Sequence, residues 1–135
     1  MNEERAFVNS FVTPKRKSRY LGLLESKKGR RKFLGILNHF RDLDDRFSAH
    51  VSDSFEITYE IAQILKKKNA PDKCYVISDN KEIDGRQMDL TAALEEVVGN
   101  GIGTILSCIP GKLAYFEGEE PHERYILERS LGNWY

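Results

Sequence analysis

GTILSCIPGKLAYFEGE, residues 103–119, is the stretch whose reading decides the fold. Two apolar runs flank Pro110-Gly111. Proline presets φ at the second position of a turn, and glycine supplies the positive φ that the third position of a type II turn requires. The stretch therefore reads as a β-hairpin, with TILSCI and KLAYFEGE as its strands.

The period of the chain changes on the N-terminal side of this hairpin. KCYVIS, residues 73–78, reads as a strand. A polar loop with an Asp-Gly turn signal follows, and Asp89 caps a short helix, LTAALEEVV, with Leu90, Ala93, Leu94 and Val97 inward and Gly99 as its stop. On the C-terminal side RYILE supplies one more strand, and the tail ends in Trp134 and Tyr135. The segment between the first two strands is long enough for a crossover, which allows that pair to run parallel.

Residues 1–70 read as helical. Thr13-Pro14 is an N-cap and first-turn pair, because proline lacks only an N–H that would be orphaned there. Tyr20, Leu21 and Leu24 share a face, and Gly29 either breaks this helix from the next or weakens a continuous one. From Phe33 the apolar positions 33, 36, 37, 40, 43 and 47 form a stripe of helical period. A third helix is expected over 53–68, with Asp53 as cap, Glu56 as its capping-box partner, Ile57, Ile61, Ile64 and Leu65 as the buried stripe, and Lys66–Lys68 complementing the C-terminal dipole. The sum is an α+β chain: a helical N-terminal half of about three helices, packed with a C-terminal β-α-β-β-β unit forming a three- or four-stranded mixed sheet. At 135 residues a single domain spanning 1–135 is expected, with 1–70 helical and 71–135 α+β.

Charge separates the two parts. The chain carries 21 Lys and Arg against 21 Asp and Glu, a net charge of zero. Residues 1–50 hold twelve bases and six acids, and residues 71–135 hold six bases and twelve acids. The cations concentrate in TPKRKSRYLGLLESKKGRRKFLGILNHF, residues 13–40, as Lys15, Arg16, Lys17, Arg19, Lys27, Lys28, Arg30, Arg31 and Lys32, against one acid, Glu25. Several fall in the first turns of a helix, where the dipole favours acids and each cation costs a few tenths of a kcal/mol. These nine residues are the candidate binding residues, and nucleic acid or an acidic protein surface is the partner expected. The interleaved Tyr20, Phe33 and Phe40 have core spacing and are read as core, not as base-stacking platforms.

Catalysis finds less support. HFRDLDDRFSAH offers His39, Asp42, Asp44, Asp45 and His50, and on a continuing helix His39, Asp42 and Asp45 would share a face at three-residue steps. A metal-dependent hydrolase or nuclease built on that region is the alternative, although no His-Glu-x-x-His spacing is present. A structural protein whose basic and acidic halves drive head-to-tail self-assembly is a third reading, so a homo-oligomer is allowed for. Gly99, Gly101 and Gly103 follow a helix and precede a strand, the reverse of a phosphate loop. NKEIDG, residues 80–85, starts like a calcium loop but has Thr91 where position twelve needs a bidentate Glu. No cofactor or metal is expected. Cys74 and Cys108 lie in apolar runs and read as buried, unbridged thiols. No apolar run approaches a membrane span and no signal peptide is evident, so a cytoplasmic setting is expected.

Overall fold

The computed structural model describes residues 2–129. The tail with Trp134 and Tyr135 lies outside them. The hairpin forms as expected: β4 (Thr104–Ile109) pairs antiparallel with β5 (Leu113–Glu117), Gly111 takes φ +71°, and the Lys112 N–H closes the turn on the Ile109 carbonyl at 2.9 Å. It is the centre of a larger sheet than the sequence suggested.

Among the described residues six strands, all pairing antiparallel, run in the order β1-β6-β5-β4-β2-β3. The added members are β1 (Ser48–His50), at one edge beside β6 (Arg124–Glu128), and β3 (Gln87–Asp89), at the other edge beside β2 (Lys73–Ser78). The expected three- or four-stranded mixed sheet is thereby corrected. The expected parallel pair, β2 and β4, runs antiparallel, with Tyr75 opposite Ser107 and Ser78 opposite Thr104. The reason lies in the polar loop. Gln87–Asp89 turns back along Lys73–Tyr75 before the helix begins, so the crossover joins β3 to β4, with β2 inserted between them. Asp89 ends β3 and caps α5 (Leu90–Val97), accepting from the Ala92 N–H, and Gly99 stops the helix at φ +83°.

The helical half is also revised. An unforeseen first helix, α1 (Glu3–Phe11), is capped by Asn2, whose side chain accepts from the Glu4 and Arg5 amides. Pro14–Arg16 is a 3-10 turn entered from Thr13, followed by α2 (Lys17–Leu23) and α3 (Lys27–Ile36). Ser26 caps α3 by accepting from the Gly29 N–H at 2.9 Å, so Gly29 lies inside a first turn. The stripe from Phe33 does not continue to Phe47 as helix. The chain tightens to 3-10 over Leu37–His39, then extends, and Phe40 and Leu43 reach the same core from non-helical backbone and Phe47 from a second 3-10 turn, Asp45–Phe47. The fourth helix, α4 (Ile57–Lys67), starts four residues later than expected. Asp53 does not cap it, because its carboxylate is drawn to Arg124 Nη1 at 3.2 Å.

The helices sit on both sides of the sheet. Tyr75, Ile77, Ile105, Ala114, Phe116 and Leu127 face α1–α3. Cys74, Val76, Leu106, Cys108, Tyr115 and Ile126 face α4 and α5. Alternate residues thus serve two cores, which is why β5 is buried at every position. On α4, Ile61, Ala62 and Leu65 are buried while Ile57 and Ile64 are half-buried. No helix among the described residues is long and apolar enough to cross a membrane.

Candidate interaction surfaces

The packing of α2 and α3 sorts the nine candidate cations. Tyr20 and Phe33 turn inward, and Tyr20, Phe33 and Phe40 form an edge-on and tilted aromatic cluster that is 0–5% exposed. The opposite surface is left to charge. Lys27, Lys28, Arg31 and Lys32 are exposed in the first turns of α3, with no acid in that turn. Residues 27 and 31, and 28 and 32, are like-charged neighbours at four-residue spacing, which works against the helix. Lys15, Arg16 and Arg19 are exposed and Lys17 is half-buried. Among the described residues these eight make one ion pair, Arg16 to Asp42 at 3.9 Å, and Arg19 lies over the Tyr20 ring at 5.6 Å.

Arg30 differs from its neighbours. Its Nε and Nη2 donate to Glu4 Oε2 at 2.9 and 2.7 Å, and its Nη1 and Nη2 donate to the two oxygens of Asp84 at 2.7 and 3.0 Å. Asp84 Oδ1 also accepts from the Ser78 amide. One guanidinium therefore ties α1, α3 and the β2–β3 loop, and the two carboxylates raise its pKa above the ordinary arginine value. The loop that resembles a calcium site thus spends Asp84 on Arg30 and uses Asn80 to cap its own turn at the Glu82 amide.

The alternative metal site is not assembled. Because the helix stops at Ile36, His39, Asp42 and Asp45 do not share a helical face. His39 lies 3.6 Å from Glu119. Asp42 accepts from the Tyr20 hydroxyl, and burial followed by this carboxylate pushes the phenol up to about 12. His50 Nε2 meets the His122 carbonyl at 2.7 Å, and Asp45 is exposed. No group of three or more His, Cys, Asp or Glu side chains among the described residues is arranged to hold a metal ion. Cys74 and Cys108 are free and buried, and burial raises both thiols to about 12, far from the reactive range.

Two features escaped the sequence. Glu117 and Arg124 form a buried ion pair at 3.4 Å. Glu117 also accepts from the Tyr115 hydroxyl at 2.7 Å and the Gly99 amide at 3.0 Å, so the network fixes the loops after α5 and before α4 and leaves no free reactive atom. The second feature faces solvent. Phe55, in the turn before α4, and Tyr59, in its first turn, are the exposed large hydrophobics among the described residues, at 104% and 62% exposure. Exposed acids neighbour them in sequence: Asp53, which Arg124 holds, Glu56 and Glu60. Beside them a groove of about 550 Å³ runs between β1 and α4, floored by Ala49, Val51, Ile64 and Ile126. The signal was present in the periodicity, since positions 55 and 59 fall off the Ile57–Ile61–Ile64 stripe. No protein family, curated protein or solved structure matches the chain.

Proposed function

We propose that this protein acts by binding, and that the α2–α3 surface docks onto an acidic surface of a protein. The observation that carries the reading is the set of eight cations, seven of them exposed, with one long ion pair between them and every carboxylate of the described residues. Four of these cations crowd the first turns of a helix whose dipole repels them. Such an arrangement costs the free protein stability and is repaid when an anionic surface closes on it. Arg30 is excluded from the contact, because Glu4 and Asp84 already neutralise it.

A protein partner is favoured over nucleic acid on two grounds. The chain has no net charge and a pI near 6.8, whereas nucleic-acid-binding domains are commonly strongly basic. The aromatics beneath the cations are buried and cannot stack on bases. The test measures binding to polyglutamate and to duplex DNA by fluorescence anisotropy across salt. Polyglutamate should bind at low salt and be lost in the Lys27→Gln/Lys28→Gln/Arg31→Gln/Lys32→Gln variant, which should fold normally. Absence of binding at low salt, or binding unchanged in that variant, would sink the proposal. Tighter binding to duplex, with a slope of log affinity against log salt of roughly −3 to −4 for four phosphates, would replace the protein partner with nucleic acid.

A further inference from the structure

The same molecule carries a surface complementary to the cationic one, on the other side of its sheet. We infer that the acidic surface docked by α2 and α3 is the aromatic-acidic end of α4 in a second copy of this chain. This inference rests on the binding role proposed for the α2–α3 surface and names its partner.

Three observations converge. Phe55 and Tyr59 are large, exposed and unpartnered among the described residues, at a position where a buried stripe lies immediately alongside. Exposed aromatic pairs of this kind are anchors that close onto a partner and are enriched in the centres of interfaces. Glu56 and Glu60 are exposed acids next to them in sequence, Asp53 two residues before Phe55 is held by Arg124, and α5 on the same layer adds exposed Glu95 and Glu96 with no base in that helix. Ring faces attract ammonium and guanidinium groups, and most strongly when water is excluded. Phe55 and Tyr59 with their acids therefore fit Lys27, Lys28, Arg31 and Lys32, which lie together on α3 and make no ion pair among the described residues.

Geometry sets the mode of assembly. The α1–α3 layer packs on one face of the sheet and the α4–α5 layer on the other. The two complementary patches cannot meet within one chain. A contact between unlike patches is heterologous, so each added copy presents a fresh patch until the contacts close into a ring or extend as a filament.

The experiment uses the full chain in sedimentation velocity. Wild type should gain mass with concentration near 0.01 M salt and lose it near 1 M, as the Debye length falls from about 30 to 3 Å. Phe55→Ser/Glu56→Gln/Glu60→Gln and Lys27→Gln/Lys28→Gln/Arg31→Gln/Lys32→Gln should each be monomeric alone. Mixed, their two altered patches are neutral and do not attract one another, whereas the acid-patch variant keeps its cations and the cation-patch variant keeps its acids, so a single productive interface remains. The mixture should therefore stop at a one-to-one dimer. Phe55→Ser should weaken wild-type association at least tenfold while leaving polyglutamate binding unchanged. A wild type that stays monomeric at high concentration and low salt, or a mixture that does not pair, would overturn the inference. If polyglutamate still binds in either case, the docking role of α2 and α3 survives and only the identity of the partner falls. If polyglutamate binding fails too, both fall.

Discussion

At the scale of single residues, Arg30 shows how a charge cluster divides. By sequence it is one of five cations in six positions, and nothing in its type distinguishes it from Arg31. Helical geometry does: residue 30 lies on the side of α3 that meets α1, and residue 31 does not. Asp84, fifty-four positions away, reaches it only because the β2–β3 loop folds under α3. Arg30→Ala would leave Glu4 and Asp84 together without a cation, with Glu4 only 6% exposed. Breaking a buried pair costs about 3–5 kcal/mol. The Arg30 side chain keeps 28% of its surface exposed, so the expected loss is smaller, about 2–3 kcal/mol after solvent screening. Arg31→Gln should change stability by less than about half a kcal/mol, as exposed substitutions do. Chemical denaturation of the two variants side by side checks this, and equal midpoints would mean that the Arg30 clamp contributes nothing.

At the scale of elements, the legible parts were those whose signals are local. The hairpin followed from Pro110-Gly111, the α5 boundaries from Asp89 and Gly99, and β2 from an unbroken apolar run. The illegible parts depended on distant partners. Positions 40, 43 and 47 kept helical spacing because they feed one aromatic core, but Phe40 reaches it from extended backbone, with φ −68° and ψ 127°. Asp53 looked like a cap until Arg124, seventy-one positions on, claimed it. The three-residue strands β1 and β3, SAH and QMD, are too short for their single apolar residue to register as an alternation, and they are strands because β6 and β2 pair with them. Of the candidate surfaces, the cations were visible as composition, whereas the exposure of Phe55 and Tyr59 needed the stripe to be read for what it excludes. Gly29 settles the break between α2 and α3. A Cβ there would sit 2.1 Å from the Leu23 carbonyl oxygen, a backbone atom that cannot step aside. In an exposed helix Gly→Ala ordinarily stabilises by up to about 1 kcal/mol. Gly29→Ala should instead destabilise, lowering the melting temperature by several degrees, because α3 must back away from the end of α2. A melting temperature that rises in scanning calorimetry would show the two helices to be more loosely joined than this.

At the scale of the whole molecule, the exposed cations of α2 and α3 gather on one face of the sheet, because α1–α3 stay together there, while several acids of the C-terminal half, Asp84, Glu119 and Glu123, reach back to Arg30, His39 and Arg41. The sheet between the two helical layers is the rigid partition. Its middle strands are buried on both faces: β4 is buried over its first five residues and β5 throughout. Its edges are minimal. A three-residue edge presents few unpaired backbone groups to other chains, which limits uncontrolled strand pairing and leaves association to side chains on the helical layers. The same gradient orders local stability. An amide in β4 or β5 is released only when both cores separate from the sheet, so its exchange should track global unfolding. Amides of β1 and β3 need only lose one neighbouring strand, and β1 sits beside an open groove. Native-state hydrogen exchange should therefore show Ile105, Leu106, Tyr115 and Phe116 exchanging slowest, with a denaturant dependence equal to that of global unfolding. Ala49 and Met88 should exchange orders of magnitude faster, through openings that denaturant barely promotes. Uniform protection from β1 to β3 would mean that the sheet opens as one unit and that its edges are held by contacts beyond their single paired strand.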